Sequence, residues 1–265
     1  MAEVVFLGTG TSDGVPTIGC ECETCNSTDW HDKRLRSSIF YSSKNAKILI
    51  DVSPDFRQQA LTHNIKWIDA IFLTHSHNDH IGGLDDIRSI NFAMKRAIPV
   101  YGNRLAINEL KRRYSYIFRK TQEGGGKPRV ELNVIKNREI NINGEIIKPI
   151  PVLHGEIPIL GYRIDDFAYI TDASFISEES LAKLMGLQVL VINALRFEKH
   201  PTHFNLKEAL EVIKVLKPEK AFLTHLTHKF LYRRDSNILP DGVYFAYDGL
   251  KLSILDHKVS ANYEE

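Results

Sequence analysis

The chain has 265 residues, 43% of them hydrophobic, and 34 Lys and Arg against 33 Asp and Glu leave a formal net charge of +1. This length supports one large core, read here as a single domain over residues 1–265, and the balanced charge implies no polyanion partner. The N-terminus lacks a basic region, its apolar run is too short for a signal peptide, and no stretch approaches a membrane span, so a cytoplasmic location is expected.

In chain order, a first apolar strand leads into Gly8-Thr9-Gly10-Thr11-Ser12-Asp13-Gly14-Val15-Pro16. No Gly-Lys-Ser/Thr follows, so the glycines are read as permitting positive φ in a turn and not as a phosphate loop. Cys20, Cys22 and Cys25 lie within six residues. An odd number so crowded does not make a disulfide framework. Three thiolates suit zinc, and four-coordinate zinc then calls for one distant histidine. Residues 39–41 and 46–52 read as a strand pair about a polar turn, with Asp51 near the end of the second strand. Residues 54–63 have helical character, with Pro54 early and Phe56, Ala60 and Leu61 on one stripe.

Residues 70–74 then read as a buried strand that runs straight into His75-Ser76-His77-Asn78-Asp79-His80. Four of those six side chains bind metals. His75 and His77, two apart in extended backbone, point the same way, while Asp79 and His80 fall where a helix begins and face a neighbouring point. Residues 85–96 continue as an amphipathic helix and 98–102 as a strand. Asn103 caps a further helix whose stripe is Leu105, Leu110, Tyr114 and Ile117. Residues 119–129, with Gly124, Gly125 and Gly126 in succession, read as a mobile segment able to act as a lid, and strands resume at 130–135. In the second half, apolar runs end at His154, Asp172 and His225. Phe222-Leu223-Thr224-His225 repeats Phe72-Leu73-Thr74-His75, as two related halves would.

His75-x-His77-x-Asp79-His80 resembles the signature of the metallo-β-lactamase superfamily. That resemblance implies an α/β (α+β) fold, a four-layer αββα sandwich with two metal ions between its sheets. Asp172 between the ions can bridge them, His154 completing the set with His75 and His77, and His225 the set with Asp79 and His80. Asp51 matches a superfamily aspartate that orients a ligand imidazole from behind. On the residues alone the alternative is a polar group beside a helix.

The run from Gly8 to Cys25, and Tyr247-Asp248-Gly249-Leu250, resemble one branch in particular, the cyclic phosphodiesterases of bacterial phosphonate breakdown. This implies hydrolysis of a small phosphodiester, a phosphoribosyl cyclic phosphate or similar, by hydroxide held between two catalytic divalent metals. Zinc or manganese, with iron as a third choice, would lie roughly 3.5–4 Å apart. It also implies a structural zinc held by Cys20, Cys22, Cys25 and His228, and His203 as general acid to the leaving oxygen. Asp79 is assigned to the catalytic step with His203 as well as to the metals. His200 is the neighbouring alternative to His203, while His31, His63 and His257 are read as solvated. The partner expected is a small phosphodiester, with no membrane or nucleic acid and with a homodimer left open. Other readings are tRNA 3′-end processing, which needs an arm or basic surface, a cofactor-biosynthesis protein of the pyrroloquinoline quinone type, and a binding module without turnover.

Overall fold

The computed structural model describes residues 2–120, 126–136, 138–255 and 258–262. Among these, fifteen strands form two mixed sheets. The first contains β1 (Ala2–Gly8), β2 (Ser38–Ser43), β3 (Lys47–Ile50), β4 (Ala70–Phe72), β5 (Ile98–Gly102) and β6 (Val130–Val134) as successive neighbours. The second is built from β7 (Ile140–Ile142), β8 (Glu145–His154), β9 (Ile157–Ile164), β10 (Phe167–Ile170), β11 (Val189–Asn193), β12 (Lys220–Thr224) and β13 (Val243–Phe245). The chain then returns to the first sheet, where β14 (Lys251–Leu255) pairs with β1 and β15 (Lys258–Asn262) with β14.

The central strands of both sheets are buried on both faces, so they read as nearly continuous apolar runs. In β1, Val4 and Phe6 point into the core between the sheets and Val5 and Leu7 into the outer core. In β12, Phe222 points between the sheets while Ala221 and Leu223 turn outward. The outer core of the first sheet is closed by α2 (Phe56–Thr62), α4 (Ile87–Met94) and α5 (Arg104–Arg113), through Phe56, Ile87, Ile90, Ile107 and Leu110. That of the second is closed by α6 (Glu178–Lys183) and α7 (Leu206–Leu216), through Leu184, Ala209, Ile213 and Leu216. The order is helix, sheet, sheet, helix. Three short helices, α1 (Glu23–Asn26), α3 (Asn78–Ile81) and α8 (Tyr232–Asp235), sit in the connections.

One edge of this sandwich collects strand ends. β3, β4, β5 and β6 are mutually parallel, as are β10, β11, β12 and β13, and β8 runs with β10 because each is antiparallel to β9. The connections after β4, β8, β10 and β12 therefore leave the sheets on the same side, the usual location for a site in such sheets.

Several sequence expectations change in detail. The helix expected over 85–96 is a 3-10 turn, Leu84–Asp86, followed by α4, which stops where Lys95 takes a left-handed conformation with φ 56°. Asn103 caps α5 by accepting from the Ala106 amide at 2.8 Å, but the buried stripe is Ala106, Ile107 and Leu110, and Leu105 is exposed. The packing surface lies one residue further along because the side chain must face β5 and β6. Residues 241–247 and 250–255, which read from the sequence as two strands closing the sheet, divide between the two: β13 belongs to the second sheet and β14 to the first. Of the glycine-rich segment, Gly124 and Gly125 lie outside the described residues, whereas Gly126 packs on Phe92 and its carbonyl accepts from Arg88. β7, β9, β11 and α6 had no counterpart in the sequence reading. Among the described residues, no helix is long and apolar enough to cross a membrane.

The turn after α3 depends on close backbone approach. A Cβ on Gly83 would stand 2.0 Å from the Ser53 carbonyl oxygen and 2.8 Å from Phe56 Cβ, whereas one on Gly186 would meet nothing within 4 Å. Gly83→Ala should therefore cost about 3 kcal/mol or more, by forcing backbone against backbone. Gly186→Ala, strained only by its φ of 75°, should cost about 1 kcal/mol. Urea denaturation of both variants reads the difference, and equal midpoints would show that the Gly83 turn yields freely.

Candidate metal centres

The three groups of ligands come together at the strand-end edge. Among the described residues, His75, His77, His154 and Asp172 form one set whose ligand atoms all lie within 4.8 Å of one another, and Asp79, His80, Asp172 and His225 form a second. Asp172 belongs to both. Cys20, Cys22, Cys25 and His228 form a third. Every metal-ligating residue expected from the sequence falls into one of these sets.

Three of the five imidazoles in the first two sets, those of His80, His75 and His154, are oriented from behind. Asp51, wholly buried, accepts from His80 Nδ1 at 2.7 Å, and from the Thr74 amide at 2.8 Å and the Thr74 hydroxyl at 2.8 Å. Thr74 Oγ1 in turn lies 3.1 Å from His75 Nδ1. His154 shares its Nδ1 hydrogen between the carbonyls of Asp172 and Thr202, both at 2.8 Å. Tying Nδ1 leaves Nε2 of these three rings for the site, the arrangement by which a partner fixes the tautomer of a metal ligand. Asp51 thus acts as the superfamily resemblance implies, and the alternative of a polar residue beside a helix is set aside.

Whether these residues fit a metal is answered by their unpaired atoms. Nε2 of His75 and Nε2 of His80 are buried and make no hydrogen bond among the described residues. His80 Nε2 nevertheless stands 3.2 Å from Asp79 Oδ2 and 3.4 Å from Asp172 Oδ1, convergent but misaligned for hydrogen bonding. Atoms that point at a common centre and not at one another are what a divalent ion would coordinate. The protein's electrostatics agree. Burial pushes the His75 imidazole well below its usual range and His225 down to about 4. Burial also opposes ionisation of Asp172, yet the imidazoles of His225 and His80 outweigh it and hold the carboxyl well below the usual range. His80 goes the other way: burial disfavours its charge, but Asp172, Asp79 and Asp51 surround it and raise it well above. Facing three carboxylates, His80 carries the proton that a cation would displace.

In the third set, Nδ1 of His228 lies 3.2, 3.6 and 3.5 Å from the sulfurs of Cys20, Cys22 and Cys25. Burial pushes the Cys25 thiol up to about 11, so a thiolate there requires a cation beside it. Three sulfurs and one imidazole nitrogen match the donor set of structural zinc.

His203 lies at the border of the first two sets without belonging to either. Its Nε2 is 3.2 Å from Asp172 Oδ2 and its ring stacks on His225 at 5.1 Å. His200 is no distant bystander, since its Nδ1 lies 3.2 Å from Nδ1 of His203 and 3.2 Å from the Thr202 hydroxyl. His31, read as solvated, is packed between Trp30 and Tyr232 with centroids at 3.8 and 4.2 Å, and its Nδ1 meets Asp29 at 2.6 Å. His63 is half-buried, and His257 lies outside the described residues. Sequence reasoning missed Thr74, Ser37, whose Oγ is 3.3 Å from His225 Nδ1, and Arg34, beneath the His228 segment. The Leu-Thr-His repeat was a signal for Thr74. Nothing local marks the other two.

A family model described as the beta-lactamase superfamily domain matches residues 46–226. A solved diphosphatase of the PhnP family superposes with a TM-score of 0.90 at 41% identity, over 96% of this chain and 98% of that one. The chain belongs to the PhnP family of the β-lactamase superfamily. The branch anticipated from the glycine and cysteine runs is the one found. Zinc-bound PqqB from Methylobacterium extorquens aligns with this PhnP-family chain over 95% of its length and all of its own, with a TM-score of 0.76 at 19% identity, a likeness of fold. An octanoyltransferase of Porphyromonas gingivalis is 40% identical over 258 residues, 96% of this chain but 52% of the relative. The PhnP-family chain spans about half the length of that relative. Its fold is that of the β-lactamase superfamily.

Three ligand sets predict three metal ions per chain in protein purified without chelator, read by elemental analysis. One ion per chain would remove the arrangement. Asp51→Asn keeps the shape of the group that orients His80 but weakens it as an acceptor. It should lower affinity at the Asp79, His80, Asp172, His225 set by about 10–100-fold. Competition against a chromophoric chelator measures that loss, and unchanged binding would mean that Asp51 orients nothing.

Proposed function

We propose that this chain is a dinuclear metal-dependent phosphodiesterase acting on a small diester, a ribosyl cyclic phosphate or similar. The observation that carries the reading is Asp172, common to two ligand sets, with His203 at its edge and in neither. Zinc, manganese or iron suits sets of imidazole and carboxylate, and zinc suits the sulfur set. Divalent cations, when bound, supply a water of lowered pKa and neutralise charge on phosphoryl oxygens. The chain's own part is geometric. Asp51, Thr74 and the carbonyls of Asp172 and Thr202 hold three imidazoles in one tautomer, Asp172 keeps the two sets in register, and His203 holds a proton for the departing oxygen. Because the ligands come from connections of both sheets, residues 1–265 are read as one domain.

The PhnP-family relative named as a diphosphatase supports a second reading, cleavage of a diphosphate. Attack at phosphorus and departure of an oxygen are common to both, so diphosphates belong beside cyclic diesters in the substrate panel. Octanoyl transfer, named for a relative of about twice the length, finds little support: the chain's three cysteines are gathered in the sulfur set, leaving none for an acyl thioester.

The test uses leaving groups. His203→Ala should retain the metals of both sets and slow a diester with a sugar-alkoxide leaving group by about 10²–10⁴-fold. Hydrolysis of bis(p-nitrophenyl) phosphate, whose leaving group departs without a proton, should fall far less. His200→Ala, in contact with His203, should show a smaller loss of the same pattern. Equal losses on both substrates would make His203 a substrate or metal ligand, and no metal-dependent turnover of any diester or diphosphate would end the reading altogether.

A further inference from the structure

The segment from His225 to His228 serves two metal sets at once. His225 belongs with Asp79, His80 and Asp172, and His228 with Cys20, Cys22 and Cys25, and only Leu226 and Thr227 separate them. Three residue steps span at most about 10 Å, so neither imidazole can be displaced without disturbing the other. The set of His75, His77, His154 and Asp172 takes no ligand from this segment. Its histidines follow β4 and end β8.

Beneath the segment lies a buried cation. The Arg34 side chain is wholly buried, pairs with Asp32 at 3.1 Å, and donates to the carbonyls of Thr227 and Phe230, each at 3.0 Å. Those carbonyls stand on either side of His228. Asp32 also accepts from the Tyr232 amide at 2.8 Å, which secures the far end of the segment. The near end is held by the Leu226 amide donating to the Thr9 carbonyl at 2.8 Å, and His225 itself is left-handed with φ 57°. Burying a guanidinium is costly unless its geometry is well used. Here its hydrogen bonds go to the backbone that positions a zinc ligand.

We propose that the sulfur-bound zinc and Arg34 act on the dinuclear site through this tether, setting the affinity of the Asp79, His80, Asp172, His225 position for its ion and leaving the His75, His77, His154 position untouched. The inference rests on the three-metal reading above. Arg34 and the three cysteines are then positioning residues for one catalytic ion, and the two catalytic positions are unequal. Loss of the zinc by chelation empties one of them first.

The experiment measures metal binding and not turnover. Wild-type protein is first shown to hold three ions; fewer would overturn the three-metal reading itself, before any variant is made. Manganese affinity at each catalytic position is then measured by chelator competition, with electron paramagnetic resonance separating a coupled ion pair from a lone ion. This is done for wild type, for zinc-depleted wild type, and for Cys22→Ser, Arg34→Met and Arg34→Lys. Depletion, Cys22→Ser and Arg34→Met should each weaken one position by about 10–100-fold, leave the other unchanged and convert the coupled signal to that of a lone ion. Arg34→Lys, which retains the charge and one donor to the segment, should recover part of the loss. Should Cys22→Ser or Arg34→Met fail to fold, zinc depletion and Arg34→Lys still decide. Two equally weakened positions, or two unchanged positions in zinc-depleted protein with native circular dichroism, would overturn the proposal.

Discussion

A single buried carboxylate, that of Asp172, is faced by four imidazoles. His203 Nε2 lies 3.2 Å from it, His225 Nδ1 3.3 Å, His80 Nε2 3.4 Å and His75 Nε2 3.8 Å. The side chain is 2% exposed, so these interactions act with little screening by water. An isolated carboxylate could not stay ionised there. It does so because four rings from three connections converge on it, and each ring is held in turn by a hydroxyl or a second carboxylate. The site is thus one electrostatic unit, and the sandwich edge is shaped to supply its parts.

The way the parts arrive follows from sheet geometry. Parallel strands deliver their connections to one side, and three residues at that turn-out, Asp51, Asp172 and His225, take left-handed backbone with φ of 62°, 58° and 57°. Asp and His tolerate that conformation better than branched residues do, and strain of this kind persists where surrounding structure holds it. The repeated Phe-Leu-Thr-His of β4 and β12 occupies the same register in both sheets, with Phe72 and Phe222 between the sheets and Leu73 and Leu223 outside. The threonines part company. Thr74 carries Asp51 on its hydroxyl, whereas Thr224 Oγ1 is buried and makes no hydrogen bond among the described residues. One half kept a carboxylate support for its histidine, and the other leans on the N-terminal connection, through Ser37.

That connection is itself pinned from a distance. Asp248 accepts from the Thr9 hydroxyl and the Leu35 amide, both at 2.7 Å, and burial pushes its carboxyl up to about 7. Tyr247 beside it meets the His31 ring edge-on at 4.7 Å. The Tyr247-Asp248-Gly249-Leu250 motif therefore earns its resemblance by fastening the loop that carries the cysteines, not by touching the metals.

Much of the site is legible in the residues because metal ligation writes itself locally. His75, His77, Asp79 and His80 are close in sequence because a strand end and one helical turn are enough to aim them, and His154, Asp172 and His225 stand out as polar residues ending apolar runs. The third set was legible as far as three crowded thiols, which need a fourth ligand. What the tertiary structure alone decided are the contacts between distant segments. Arg34 reaches Thr227 across 193 positions, and Ser37 reaches His225 across 188. His31 looked solvated because its aromatic neighbours Tyr232 and Tyr247 lie two hundred residues or more away in the chain. Local chemistry states which side chains can bind a metal. Which backbone and which buried charge hold them in place depends on how the two sheets meet, and no short stretch of sequence carries that.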